Sequence, residues 1–287
     1  MRLITAVCAA AACLAAAPAA LAAESRTETA SSGPVTATLT YTLQDEFTAT
    51  DIRLAVTRDG TPAAVAADGQ VLAGCGERCA GAVPVGGIEG SEQPSLTLAD
   101  LTGDGDPEVI VDLYTRGAHC CSISAIYGWD PATSTYRHTI RFWGDPGYQL
   151  ATLGGPGQEL VTADSRFAYA FCAYACSAMP TIVYRYEGFR LVDVSRQYPQ
   201  LLRGEARDLR TSIRQAARRS DRQVIRGLLP ALCADLYRLG EGAACRRELA
   251  LAKRRGWLRK SGAGDVWPAG RRYIPKVMRF LKRTGYR

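Results

Sequence analysis

Apolar residues in this chain recur at every second position as far as about residue 194 and at every third or fourth position from residue 202 onward. One sequence must therefore build two kinds of element, strands first and helices after. Val35, Ala37, Leu39, Tyr41 and Leu43 alternate with Thr36, Thr38, Thr40 and Thr42, which predicts a half-buried strand with its threonines outward. Ile52, Leu54 and Val56 predict a second strand, followed by a turn at Arg58-Asp59-Gly60-Thr61. Further strands are expected over 108–114, 122–129, 136–143 and 181–186, the last turning at Glu187-Gly188 into 189–194. Beyond residue 200 the helical spacing runs through Leu202, Ala206, Leu209, Ile213 and Ala216, then Val224, Leu228, Leu232 and Leu236. It continues through Cys245, Leu249 and Ala252 and ends with Ile274, Val277, Met278 and Leu281. Gly240 and Gly256 sit where helices would end, and Pro268 suits the first turn of the last one. The expected fold class is multidomain α+β. An N-terminal all-β domain over 34–200, a sandwich or a partial propeller-like sheet, precedes a C-terminal α-helical bundle over 201–287.

Charge divides at the same boundary. Residues 201–287 hold 23 Lys/Arg against 7 Asp/Glu, a net of +16, whereas residues 1–200 hold 12 against 21, a net of −9. A shift of that size argues for two units. Arg214, Arg218, Arg222, Arg226, Arg246, Arg254 and Arg271 fall largely on the polar faces of the expected helices. Such a surface attracts anionic cell-wall polymer, lipid headgroups or acidic glycans. The plainer alternative is a solvated helix face partly neutralised by docking on the acidic half. Nucleic acid is disfavoured, because no recognised reading motif accompanies the charge.

The N-terminus reads as an export signal over residues 1–23. Met1-Arg2 precedes the Ala/Leu/Val/Ile run from Leu3 to Leu21, and Ala20-Leu21-Ala22 supplies small residues at a processing site. An uncleaved membrane anchor is the alternative, since the run approaches spanning length. Residues 24–33 are small and polar and are expected to form a flexible leader. No later stretch is apolar enough to span a bilayer. Removing Cys8 and Cys13 with the signal leaves eight cysteines in four close pairs: Cys75 and Cys79, Cys120 and Cys121, Cys172 and Cys176, Cys233 and Cys245. Local disulfides are favoured for three pairs, with adjacent Cys120 and Cys121 the weak case, because neighbouring Cα atoms sit below the usual disulfide separation. Eight cysteines allow many connectivities, and zinc is the competing use of such spacings.

Chemistry is concentrated in one short segment. Asp100, Thr102, Asp104, Asp106 and Glu108 carry oxygen at alternate positions of Asp-Leu-Thr-Gly-Asp-Gly-Asp-Pro-Glu. Ca²⁺ takes six to eight oxygens from a chain curled around it, and Gly103 and Gly105 permit the curl. Asp100, Asp104 and Glu108 would ligate through carboxylates, Thr102 through its hydroxyl and Asp106 through its backbone carbonyl. Mg²⁺ fits less well. A metal-free acidic turn is the alternative, since Asp and Gly favour turns in any case. The segment Leu98–Asp112 also aligns with Leu150–Asp164, with one gap before Gln158, as though one supersecondary unit were used twice.

The loop resembles the FG-GAP/VCBS-type repeat, in which Asp-x-Asn/Asp/Thr-x-Asp-Gly-x-x-Asp/Glu opens a strand. The resemblance covers about 96–130 well and about 148–195 faintly, and implies calcium bound between strands of propeller-like sheets. In the second copy Thr152, Gly154 and Pro156 stand where Asp100, Thr102 and Asp104 stand in the first, so that copy is expected to be structural and metal-free. Residues 34–287 also resemble a group of uncharacterised secreted actinobacterial proteins through Leu113 to Cys121, which implies no activity.

Catalytic motifs are missing: there is no Gly-x-Ser-x-Gly elbow, His-Glu-x-x-His helix, phosphate-binding glycine loop or Cys-x-x-Cys pair. His138 alternates with apolar neighbours as a packed strand residue. His119-Cys120-Cys121 reads as a disulfide turn beside a histidine rather than a thiol or soft-metal site. A non-enzyme is therefore expected: a secreted, calcium-binding β module with a basic helical tail, acting by binding or adhesion at the cell envelope. The alternative is an extracellular hydrolase acting on polysaccharide through carboxylates outside the loop. A purely structural envelope protein is the third reading.

Overall fold

The computed structural model describes residues 23–45, 48–88, 90–117 and 119–287. The signal peptide expected over 1–23 lies, apart from Ala23, outside the described residues. Nine strands make the first sheet: β1 (Glu24–Ser32), β2 (Val35–Asp45), β3 (Thr48–Arg58), β4 (Thr61–Val65), β5 (Val83–Pro84), β6 (Leu96–Ala99), β7 (Glu108–Tyr114), β8 (Ser122–Asp130) and β9 (Thr135–Gly144). They run in the order β1-β2-β3-β4-β9-β8-β7-β5, with β6 also pairing β7. The alternation in β2 behaves as its sequence demands, with Val35, Ala37, Leu39, Tyr41 and Leu43 buried and the threonines between them turned outward.

The flexible leader expected over 24–33 is instead β1, paired with β2 from Glu24↔Leu43 to Ser32↔Val35. A polar edge strand buries no apolar face, so hydrophobic periodicity has nothing to mark. Cross-strand hydroxyls carry the pairing, as between Ser31 and Thr36 at 2.9 Å. Glu28 ties β1 to the chain before β6, accepting from Ser95 N–H at 2.7 Å, Ser95 O–H at 2.6 Å and Tyr41 O–H at 3.0 Å. The sheet thereby curls nearly into a barrel around Leu39, Leu54, Val109, Val111, Leu113, Ala125 and Tyr127.

A second sheet follows in strict sequence: β10 (Gln149–Ala151), β11 (Glu159–Ala163), β12 (Thr181–Glu187) and β13 (Arg190–Asp193). Its connectivity repeats that of β6-β7-β8-β9, each an antiparallel four-stranded meander. Register repeats too: Ala99↔Glu108 and Leu98↔Val109 in the first unit correspond to Ala151↔Glu159 and Leu150↔Leu160 in the second. Ile110, Ile126 and Trp143 of the first unit pack against Leu160 and Tyr186 of the second. Strand β7 is thus covered on both faces, Val109, Val111 and Leu113 to the barrel and Ile110 to the second sheet. That explains its nearly unbroken apolar run.

Four helices complete the described chain: α1 (Pro199–Arg218), α2 (Arg222–Arg238), α3 (Gly242–Arg254) and α4 (Tyr273–Arg283). Asp221 caps α2 by accepting Val224 N–H at 3.0 Å. The expected start of the last helix at Pro268 is too early, because α4 begins at Tyr273 behind a short 3₁₀ turn. The apolar faces of the helices meet Phe167 and Phe171, which the second meander projects from its β11–β12 connection. The element type changes near residue 200, and the core around the helices takes in Phe167 and Phe171 from before that point.

The eight cysteines among the described residues lie in pairs at disulfide distance: Cys75–Cys79, Cys120–Cys121, Cys172–Cys176 and Cys233–Cys245. The adjacent pair, the weak case from sequence, is included. The last staples α2 to α3 around the turn at Gly240, as the spacing suggested.

Candidate functional site

The acidic segment connects β6 to β7, where its first residue must leave one strand and its last must enter the next. Asp100 organises the turn by accepting Gly103 N–H at 2.6 Å and Gly105 N–H at 3.0 Å on its two carboxylate oxygens. Asp104 accepts Asp106 N–H at 2.9 Å. Leu101, fully buried, plugs the loop into the contact between the two sheets. Gly103 stands against the second copy of the loop, where a Cβ would lie 1.9 Å from the Pro156 carbonyl oxygen. A further bond, Gln158 N–H to the Asp100 carbonyl at 2.9 Å, locks the two loops together.

The five predicted oxygens divide in their surroundings. Asp106 turns its side chain to Arg58, with Nη1 at 2.8 and 3.0 Å from its oxygens. Arg58 also donates to Tyr136 O–H at 3.0 Å and lies over the Trp129 ring. Glu108 is buried, and Leu101 N–H donates to it at 2.8 Å. Burial pushes its carboxyl up to about 7, against the Leu101 N–H bond and with the negative charges of Asp104 and Asp100 adding to the rise. The Thr102 hydroxyl oxygen is buried without a hydrogen-bond partner. Among the described residues no group of three or more His, Cys, Asp and Glu side chains is assembled to hold a metal ion. The carboxylates surround the turn but are engaged by backbone donors and by Arg58.

Comparison with the second meander gives these facts a reference. Glu159 occupies the register of Glu108, is fully buried, and accepts Leu153 N–H at 3.1 Å just as Glu108 accepts Leu101 N–H. Unlike Glu108, it has a cation beside it, with the Arg185 guanidinium 3.5 Å from Oε1, and Tyr198 O–H donates to that same oxygen. Arg58, Arg185 and Tyr198 are the functional neighbours that sequence reasoning missed. Only the aligned glutamates could have pointed to Arg185.

Elsewhere, Arg214, Arg218, Arg246, Arg254 and Arg271 are exposed as expected, while Arg222 is half-buried with its guanidinium on the Lys260 carbonyl at 3.3 Å. Arg226 turns inward instead of outward. It is completely buried, pairs with Asp265 and donates to the Arg259 carbonyl at 3.2 Å. The helical spacing that placed it outward could not register a buried acid 39 residues away. His138 is half-buried and stacked on Tyr127, and His119 stacks on Tyr174 beside the Cys120–Cys121 pair. With the eight cysteines paired, no described thiol adjoins either histidine. Disulfides of this kind belong to an oxidising, non-cytoplasmic compartment.

No family model matches the chain, and no solved structure matches it significantly. Over 95 residues, 31% of this chain, it is 34% identical to an uncharacterised protein of Sinorhizobium fredii, of which it spans 14%. Over 115 residues, 38% of this chain, it is 32% identical to a Synechocystis protein named as a probable thylakoid lumen protein, of which it spans 34%.

Proposed function

We propose that the chain is a non-catalytic binding module of an extracytoplasmic compartment, whose Asp100–Glu108 loop takes calcium and whose basic helices hold it to an anionic envelope surface. The observation that carries the metal reading is the contrast between the paired glutamates. The buried carboxylate of Glu159 is compensated by Arg185, while its counterpart Glu108 is burdened by Asp100 and Asp104. A divalent cation at the first loop would supply the charge that Arg185 supplies at the second, and would give the Thr102 hydroxyl a partner. The carboxylates must draw in by rotation to reach it, since the present hydrogen bonds hold them around the turn rather than at one point. The FG-GAP/VCBS-type likeness of the loop supports the same ion. Its role in this reading is to rigidify the junction of the two meanders.

Export is supported by the four cysteine pairs and by the lumenal name of the Synechocystis relative. The exposed arginines of the helical region, Arg214, Arg218, Arg246, Arg254 and Arg271 among them, support attachment to cell-wall polymer or lipid headgroups. Calorimetric titration of the exported chain with calcium tests the loop. Binding in the range of extracellular modules, on the order of 0.1–1 mM, is expected, with loss of the heat in Asp104→Ala. Equal heats in both proteins would remove the ligand assignment. Retention on an anionic polymer that does not weaken with added salt would count against attachment through the arginines.

A further inference from the structure

Where β9 of the first meander faces β11 and β12 of the second, a cleft of ≈ 310 Å³ opens, lined among others by Arg141, Trp143, Thr162, Asp164, Ser165 and Arg166. Its two cations differ in their neutralisation. Asp164, 3% exposed, binds Arg166 through both oxygens at 2.6 and 2.7 Å and also accepts Tyr286 O–H at 2.9 Å. Its charge is therefore spent on Arg166 and shared with a tyrosine. Arg141 has no carboxylate partner among the described residues. Its guanidinium lies 4.4 Å from the Tyr184 ring and 5.4 Å from the Trp143 ring, and it donates to Tyr184 O–H at 2.5 Å. Its Nε–H is buried with nothing to donate to. That atom is closed off from the cleft, so a ligand there meets the terminal Nη groups of Arg141, which no carboxylate neutralises.

We propose that this cleft is an oxyanion site, binding a carboxylate or phosphate group of a small ligand between Arg141 and Arg166. The guanidinium of Arg141, held by the Trp143 ring and by the ring and hydroxyl of Tyr184, offers its terminal Nη donors to an oxyanion. Ser165 adds a hydroxyl to the same wall, while the Thr162 hydroxyl is spent on the Gly147 carbonyl, and the volume is that of a compact ligand such as one sugar residue. The site lies apart from the Asp100–Glu108 loop and from the exposed arginines of the helices. It stands whether or not calcium binds.

Three probes decide the matter by calorimetry at fixed ionic strength: inorganic phosphate, galacturonate and neutral galactose. Phosphate or galacturonate should bind and galactose should not, and which anion binds identifies the source of the oxyanion. Arg141→Gln should weaken binding at least tenfold without altering the calcium titration. Arg141→Lys, which keeps charge and stem but loses the fork, should weaken it by several-fold and serves if the glutamine variant does not fold. Absence of binding by both anions overturns the proposal. So does an affinity unchanged from the parent's in both Arg141→Gln and Arg166→Gln, which would assign the binding to the surface arginines.

Discussion

At the scale of single residues, Glu108 reports most directly on what the loop needs. Its carboxyl is held up near 7 by burial and by Asp104 and Asp100, while an unfolded chain ionises near the ordinary glutamate value. Between those values the folded state keeps a proton that the unfolded state has lost. Stability from this group is complete below the unfolded value and declines as pH rises through 5 and 6 towards 7. The ceiling of the decline is about 3 kcal/mol. In chelator, the unfolding free energy of the chain should fall between pH 5 and 7, and Glu108→Gln should flatten that slope. Millimolar calcium should abolish the slope in the parent chain, since an ion favours the ionised carboxylate. Denaturant titrations at three pH values, with and without calcium, make the comparison. Identical slopes in parent and variant would show that Glu108 is ionised and compensated without metal. The sequence could name this residue, because alternation of oxygens along one segment is a local pattern. It could not show that Arg58 claims Asp106, since a partner 48 residues away leaves no trace in spacing.

Among elements, the two loops behave as one joint. Gly103 and Gly105 both have positive φ, at 80° and 84°, but only Gly103 stands against the neighbouring backbone at Pro156, while nothing lies within 4 Å of a Cβ on Gly105. Alanine at Gly105 should therefore cost only the left-handed strain, about 1 kcal/mol. Alanine at Gly103 adds a clash that backbone must absorb, for a total on the order of 3 kcal/mol. Thermal or denaturant unfolding of the two variants checks the ratio, and equal losses would mean that the loops are not in register contact. The repeat itself was visible in sequence through Leu98–Asp112 and Leu150–Asp164, and the matching registers give it a physical basis. The strands that periodicity reached were those with one apolar face, such as β2 and β3. Those it missed were polar (β1), very short (β5, β10) or placed directly after a turn signal, as β4 follows the Asp59-Gly60 turn.

For the whole molecule, the opposite charges of the two halves led to an expectation of separate units, yet the halves are joined through polar ties and a shared core. Arg238 of α2 reaches Asp193 of β13 at 3.0 Å, and Glu205 of α1 accepts Thr181 N–H of β12. Opposite net charges allowed the helices to dock on the acidic half, but composition does not register which few charges face inward. Asp235 sits behind the same junction, fully buried, with neither carboxylate oxygen hydrogen-bonded. Burial lifts its carboxyl to about 9, the negative charge of Glu205 raising it further and Arg238 opposing. The folded chain then carries Asp235 protonated at neutral pH while the unfolded chain ionises it near the ordinary aspartate value. Its contribution is full in acid and is lost as pH climbs from about 4 towards 9. Asp235→Asn removes that titration and leaves a neutral group of similar shape. The variant should match the parent near pH 5, exceed it progressively at pH 7 and 8, and flatten the fall of Tm with rising pH. Because α2 shares its core with Phe167 and Phe171, strand and helix signals in circular dichroism should move together in both proteins. A variant that melts below the parent at every pH, with the parent's slope, would mean that Asp235 is ionised and partnered in the folded chain. Strands that outlast the helices would show that the cores, joined in space, unfold separately.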